Sequence, residues 1–284
     1  MRQFEKKVVK AIFEAKEELR PFLKSLNFAK ISKHNHGYLR YARDPVKFFI
    51  DVEVIRYLHT VNFIYLSYPK STWILDIGFF IPVVPLGLSK LGFRVSSVEK
   101  LSYYNGALDE IISFIAEKYG VRILDFDPLV DNIADLKHQF DVVLLLAILE
   151  HLNGSPNYLL EKTKSIVKPN GCIIVEVPNI ASLIKRLALL LKGESPCPRF
   201  EDYYHSEYPF TGHNREYTIN ELKYTLDQAG FDVIKLKVFH HSAILPQGLK
   251  GKILHTLELI GPQSWKPNIW AVAKPRENYF NPKT

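Results

Sequence analysis

Residues 73–78 read Trp73-Ile74-Leu75-Asp76-Ile77-Gly78, a short apolar run that ends on a carboxylate and a glycine. A brief apolar run bounded by turn-forming residues describes a buried strand. Its neighbours decide what sheet that strand joins. Downstream, a helical stretch ends at Lys90-Leu91-Gly92, Arg94 to Glu99 alternates as a second strand, and Asn105 to Lys118 makes an amphipathic helix stopped by Gly120. Val121 to Phe126 is a third strand, and Phe140 to Leu146 is too apolar for anything but a central parallel strand. Ser155-Pro156 opens another helix, the Pro169-Asn170-Gly171 turn ends it, and Cys172 to Val177 is the fifth strand. Thr218-Ile219-Asn220-Glu221 is a capping box for a helix that stops at Gly230. Phe231 to Val238 and Ile269 to Ala273 complete the strands. This alternation predicts an α/β fold, a mostly parallel sheet covered by helices on both faces. Such sheets bind ligands in the crevice at the carboxyl ends of their strands, so functional residues are expected just after strands.

Upstream, Phe4, Val8, Ile12, Ala15, Leu19 and Phe22 recur at helical spacing, followed by a polar loop, Ser32 to Arg43. Asp44-Pro45 reads as an N-cap with proline at the first helical position, and Ile50, Val54, Leu58, Val61 and Tyr65 carry a second helix to about residue 66. Residues 1–70 hold fourteen Lys/Arg against seven Asp/Glu, whereas residues 71–284 hold twenty-three of each, so the net charge of +7 sits wholly in the N-terminal quarter. A basic segment can meet nucleic acid, a phospholipid surface or a phosphorylated substrate. No dense Lys/Arg run occurs, which favours ordinary solvated helix faces over a nucleic-acid partner. Two cysteines, Cys172 and Cys197, exclude a disulfide framework and suit a reducing compartment. The start, MRQFEKK, lacks the order of a secretory signal. The longest apolar run, Val142 to Leu149, falls well short of the roughly 20 residues a membrane span needs. A soluble, cytoplasmic protein is expected. His34 and His36 alone do not make a metal site, and none is predicted.

Polar groups gather at four strand ends. Asp76 and Gly78 close the first strand and Glu99 the second, where an ionised carboxylate can accept both hydroxyls of a ribose. Asp125 and Asp127 end the third, where an acid can receive an adenine amino hydrogen. Leu146-Ala147-Ile148-Leu149-Glu150-His151-Leu152 leaves the fourth.

With these motifs in view, residues 70–275 resemble the class I S-adenosylmethionine-dependent methyltransferases. WILDIG, VEK, FDVVLLLAILEHL, KPNGCIIVEVPN, GHNREYTINELKYTLDQAGFDV and a last strand ending in AKP follow in the family's order. The resemblance implies a Rossmann-like methyltransferase fold, a mostly parallel seven-stranded sheet with an antiparallel last strand. It also implies S-adenosyl-L-methionine as cofactor. Asp76 and Gly78 would approach its methionine end, Glu99 its ribose and Asp125 or Asp127 its adenine, while the backbone around Leu146 and Ala147 would flank the sulfonium; Phe80 and Glu150 would also contact the cofactor. The family usually writes the first loop Asp-x-Gly-x-Gly-x-Gly, but here it reads Asp76-Ile77-Gly78-Phe79-Phe80-Ile81-Pro82. Glycines there let the backbone approach a ligand without a Cβ clash. Either the phenylalanines pack into the core or against the cofactor, or Phe80 fills the methionine pocket and the domain is non-catalytic.

Histidine is the commonest general base near neutral pH. His151 is the first candidate and His213 the second. The Asn-Pro-Pro-Tyr motif of some amino-group methyltransferases is absent, and Cys197 reads as a loop residue. Residues 193–217 are aromatic and polar enough for a lid, in which Tyr203, Tyr204, His205, Arg215 and Tyr217 would bind substrate alongside Phe200, Tyr208 and Phe210. Residues 240–266 form an insertion whose Ile253, Leu254, Leu257 and Ile260 would cover core, with dimer contact and a membrane surface as lesser readings. The expected organisation is a basic helical extension, 1–69, capping the cleft of a methyltransferase-like domain, 70–284. The expected activity is methyl transfer to oxygen or nitrogen of a small acceptor, such as a sugar or anionic metabolite. The alternative is a non-catalytic binding module or partner subunit that contacts nucleic acid through the extension. A nicotinamide oxidoreductase is disfavoured, because no Gly-x-Gly-x-x-Gly follows the first strand.

Overall fold

A computed structural model describes residues 3–26, 44, 46–198, 200–206, 210, 212–240 and 248–276. His34, His36, Pro45 and Tyr208 lie outside the described residues. The chain divides into two compact units, one up to Asp131 and one from Asn132.

The first unit opens with α1 (Lys6–Ser25), which buries Val8, Ile12, Ala15, Leu19 and Leu23, a stripe at helical spacing. Asp44 Oδ1 accepts from the Lys47 amide at 3.0 Å, while the helical turn starts after Val46, which makes no side-chain cap bond. One π-helical turn, Lys47–Val52, then leads into α2 (Val54–Ser67). Next come β1 (Trp73–Ile77), α3 (Val83–Lys90), β2 (Arg94–Glu99), α4 (Asp109–Tyr119) and β3 (Arg122–Asp125). Helix α1 packs on α3 and α2. At the crossing with α3, a Cβ on Gly87 would stand 2.5 Å from Ile12 Cδ1, so glycine permits the approach. Strands β1, β2 and β3 are parallel, with Asp76 opposite Ser97 and Glu99 opposite Asp125. Helix α4 starts later than its apolar spacing suggests. Leu101–Tyr104 forms a 3-10 turn, after which Asn105 and Gly106 take left-handed φ of 47° and 75°, so helix cannot begin before them.

The second unit holds β4 (Phe140–Leu146), α5 (Asn157–Ile166), β5 (Val167–Pro178), α6 (Leu183–Lys192), α7 (Phe200–Tyr204), α8 (Ile219–Gln228), β6 (Phe231–Phe239), α9 (Gly248–Ile260) and β7 (Asn268–Pro275). Strand β4 pairs parallel to β5, and β7 runs antiparallel to both β5 and β6. The Pro169-Asn170-Gly171 turn lies inside β5 rather than before it. Phe140 pairs with Val167 but Val142 with Cys172, so the turn is a bulge on a strand that has already begun. Thr218 and Glu221 form the reciprocal capping box of α8. Helix α9 departs from the core-cover reading: Ile253, Leu257 and Ile260 are exposed, whereas Glu258 is buried. The seven strands follow the order β3-β2-β1-β4-β5-β7-β6, a Rossmann-like methyltransferase sheet with one antiparallel member. Among the described residues no helix is long and apolar enough to cross a membrane.

Candidate active site

In the first unit the site residues stand at adjacent strand exits. Asp76, at the end of β1, is only 4% exposed. Burial, with the negative Glu99 carboxylate adding to it, pushes its pKa up to about 8. Past it, Gly78 turns at φ 73° and its amide donates to the Val98 carbonyl at 2.8 Å. Phe80 stands where the resembling family places its second glycine, and it too is left-handed, φ 33°. The loop therefore keeps a glycine-type backbone with a phenylalanine on it. The Phe80 ring, 8% exposed, stacks on Tyr104 with centroids 5.5 Å apart.

Glu99 gathers this loop. Its Oε2 accepts the Phe80 amide at 3.1 Å and its Oε1 accepts the Lys100 amide at 3.1 Å. Burial raises its pKa, against the lowering by those amides and the Tyr104 hydroxyl. Beyond β3, Asp125 accepts the Leu101 amide at 3.0 Å. Asp127 accepts the Tyr103 hydroxyl at 2.9 Å and the Leu129 amide at 2.8 Å. Burial, followed by the Asp127 carboxylate, pushes the Tyr103 hydroxyl up to about 12.

These residues suit a nucleoside with a cationic end. An ionised carboxylate has about four acceptor positions, so Glu99 retains capacity for hydroxyl donors beside two amides. The Ser97 hydroxyl, opposite Asp76 and on the face of β2 that carries Glu99, is buried with no hydrogen-bond partner among the described residues. A carboxyl held near pKa 8 is stabilised by an arriving ammonium. The donor set thus fits S-adenosylmethionine.

In the second unit, β4 ends at Leu146, opposite Glu176, and Ala147 turns left-handed at φ 59°, its amide donating to the Glu176 carbonyl at 2.9 Å. The chain then enters a 3-10 turn, Leu149–His151, that buries Glu150 completely. Residues 212–217 fold onto this turn. The Asn214 amide donates to the Glu150 carbonyl at 2.7 Å, and the Asn214 side chain to the His151 carbonyl at 3.1 Å. The two candidate bases thereby meet: the His151 and His213 rings stand edge to face, centroids 4.8 Å apart. His151 Nδ1 lies 3.2 Å from the Gly212 carbonyl, and His213 Nδ1 lies 2.9 Å from Glu216 Oε1. The ligand atoms of Glu150, His151 and His213 lie within 4.8 Å of one another, close enough for one cation to sit among them.

Glu216 is the partner that sequence reasoning missed. It is buried and ion-paired to Lys185 of α6. Burial pushes its carboxyl up, but His213 and Lys185 outweigh this and hold it below the usual carboxylate range. Its spacing of three from His213 was the available signal. Lys185 offered none, standing on another element.

The remaining residues spread out. Tyr217 is buried and its hydroxyl donates to the Leu149 carbonyl at 3.5 Å; burial, then Glu150, pushes it up to about 12. Arg215 pairs with Glu221 of the capping box at 2.7 Å. Tyr203, Tyr204 and His205 are exposed, with ring contacts from Tyr203 to Phe210 and between Tyr204 and His205. The Cys197 thiol is pushed up to about 11 by burial and donates to the His213 carbonyl, which suits an inert loop residue.

The profile of the family described as "Methyltransferase domain" matches residues 83–236, over half of the chain, beginning directly after the divergent loop. A curated relative, "Ubiquinone biosynthesis O-methyltransferase" of Rickettsia conorii, is 28% identical over 106 residues, covering 37% of this chain and 35% of its own length. The chain thus spans about a third of that relative's length. Among solved structures, 1,6-didemethyltoxoflavin-N1-methyltransferase from Burkholderia thailandensis, with bound S-adenosylhomocysteine, superimposes with a TM-score of 0.54 at 15% identity, covering 85% of this chain and 86% of that one. A Haloferax volcanii methyltransferase in complex with the Trm112 methyltransferase activator gives a TM-score of 0.59 at 14% identity, covering 88% and 100%. The chain belongs to the class I S-adenosylmethionine-dependent methyltransferases, whose methyl donor is S-adenosyl-L-methionine.

Proposed function

We propose that this protein transfers a methyl group to an oxygen or nitrogen of a small-molecule acceptor. The observation that carries this reading is the meeting of His151 and His213, far apart in sequence, beside the buried carboxylate of Glu216. S-adenosylmethionine supplies the methyl group on a sulfonium, so the protein must position the acceptor and take its proton. His213 suits that task. With Glu216 accepting from Nδ1–H, the imidazole keeps Nε2 as proton acceptor, and the carboxylate stabilises the imidazolium that results. Lys185 keeps Glu216 ionised, and His151 fixes the ring from the side. Asp76 and Glu99 would take the cationic and ribose parts of the cofactor, Asp125 or Asp127 its adenine, and Leu146, Ala147 and Glu150 its sulfonium side. The exposed rings of Tyr203 and Tyr204 offer stacking faces for an acceptor. The name of the Rickettsia relative supports oxygen as the methylated atom.

A second reading, a non-catalytic methyltransferase-like module, draws on Phe80, whose buried ring and amide both engage the Glu99 region. Calorimetric titration with S-adenosylhomocysteine separates the two. The enzyme reading expects saturable binding at one site, weakened about 10–100-fold in Glu99→Ala, as for hydrogen bonds to a charged group. Absence of saturable binding to the unmodified protein would leave the module reading standing.

A further inference from the structure

Helix α9 is held in place in an unusual manner. Leu249, Ile253, Leu259 and Ile260 are exposed, while Glu258 is only 1% exposed. Its anchor is polar: His255 and Glu258, three apart and so on one face of the helix, converge on His240, which follows the end of β6. The His240 and His255 rings stand edge to face with centroids 4.5 Å apart, and His255 Nδ1 is 3.2 Å from His240 Nε2. The same Nε2 touches Glu258 Oε2. The other oxygen, Oε1, is buried with no hydrogen-bond partner among the described residues.

Protons alone satisfy this group poorly. An imidazole nitrogen carries either one hydrogen or one lone pair. If His240 Nε2 donates to Glu258, it cannot also accept from His255; if it accepts from His255, it faces the carboxylate lone pair to lone pair. A buried carboxylate also requires a counter-charge. A dication meets all of these demands, since each residue offers one ligand atom and the three atoms lie within 4.8 Å of one another. Metal–nitrogen bonds of about 2.0–2.1 Å at tetrahedral angles set two imidazole nitrogens about 3.4 Å apart. The 3.2 Å observed is near that spacing.

We propose that His240, His255 and Glu258 form a three-ligand site for a divalent transition metal of the zinc class, which ties α9 to the end of β6. Two imidazoles and one carboxylate suit zinc, cobalt, nickel or copper, whereas magnesium and calcium prefer oxygen alone. Three protein ligands leave the fourth position to water. The site is separate from the Glu150, His151 and His213 group.

The test uses the full chain, stripped of metal with a chelator, dialysed and titrated with cobalt(II) and then zinc(II). One equivalent of cobalt should give the intense visible bands of a tetrahedral ion, which zinc then displaces. His255→Asn and Glu258→Gln should each weaken zinc binding by more than about 100-fold, beyond the cost of losing an outer-shell partner. His151→Ala should leave it unchanged. Zinc K-edge absorption of the unmodified protein should show imidazole ligands, which keeps the test decisive where a variant fails to fold. The proposal is overturned by the absence of a stoichiometric site, by a site that survives His255→Asn, or by one lost in His151→Ala.

Discussion

At Phe80 the backbone and the side chain make opposite demands. A left-handed φ costs a residue with a Cβ about 1–2 kcal/mol, and glycine avoids the cost. The Phe80 ring offsets it by stacking on Tyr104 out of water, while its amide reaches Glu99. Removing the ring therefore exposes the strain. Phe80→Gly and Phe80→Ala both lose the stack, but the glycine variant should be the more stable by about 1 kcal/mol, the reverse of their order inside a helix. Denaturant unfolding with matched slopes reads this difference. An alanine variant equal to or above the glycine variant would show that φ relaxes once the ring is gone. The sequence shows that a phenylalanine replaces the expected glycine, but not that the turn survives it. A conformation kept against its residue's preference is set by contacts with Glu99 and Tyr104, which local propensity does not encode. Glu216 is similar: the Gly212-to-Tyr217 stretch announces a histidine and a carboxylate, but its counter-ion Lys185 comes from a helix that the motif does not include.

Among the elements, the crossing of α1 and α3 is a close approach with a single-residue cause. Gly87 and Ile12 meet where Ile12 is wholly buried, so a Cβ only 2.5 Å from Ile12 Cδ1 has nowhere to send it. Overpacking of this kind costs about 1–3 kcal/mol. Gly87→Ala should destabilise the protein by that much despite alanine's better helix propensity, and Ile12→Val should recover part of the loss by removing the offending methyl. A neutral or stabilising Gly87→Ala would mean that α1 shifts to make room. The strands are legible from their apolar runs because burial on both faces of a parallel sheet demands such runs. Their edges are less legible. Strand β5 starts at Val167 because a bulge absorbs Pro169-Asn170-Gly171, residues that normally punctuate. The α9 sequence resembles core cover, yet a buried Glu258 with two histidines anchors it, an arrangement that hydrophobic periodicity cannot reveal.

Across the whole molecule the charge pattern proves more internally balanced than its distribution along the chain suggests. In the basic first quarter Lys16 and Arg20 reach Asp51 at 3.3 and 3.2 Å, and Arg20 also pairs with Glu17 at 2.8 Å. Glu18 receives Lys90 at 2.6 Å and Lys118 at 3.5 Å. Two buried carboxyls bear on the pH dependence of stability, and they act in opposite directions. Glu216, held below the usual carboxylate range once Lys185 and His213 outweigh its burial, stabilises the fold above that range, and the contribution is lost as pH falls through its folded pKa. Asp76 behaves inversely. Its folded pKa of about 8 exceeds the ordinary aspartate value of 3.8, so between about pH 4 and pH 8 the folded state keeps a proton that the unfolded chain has released. Stability therefore falls as pH rises through that window and levels off above it. Asp76→Asn carries no charge at any pH and removes this component together with its coupling to Glu99. Its stability advantage over the unmodified protein should grow from about pH 4 to pH 8, reaching a few kcal/mol, on the order set by a shift of several pKa units. Chemical denaturation of both proteins at matched pH values gives the difference directly, with the contributions of Glu216 and the surface pairs cancelling. A difference that stays flat across the window would mean that Asp76 ionises in the folded protein like an ordinary carboxylate, with a cation or donor already beside it.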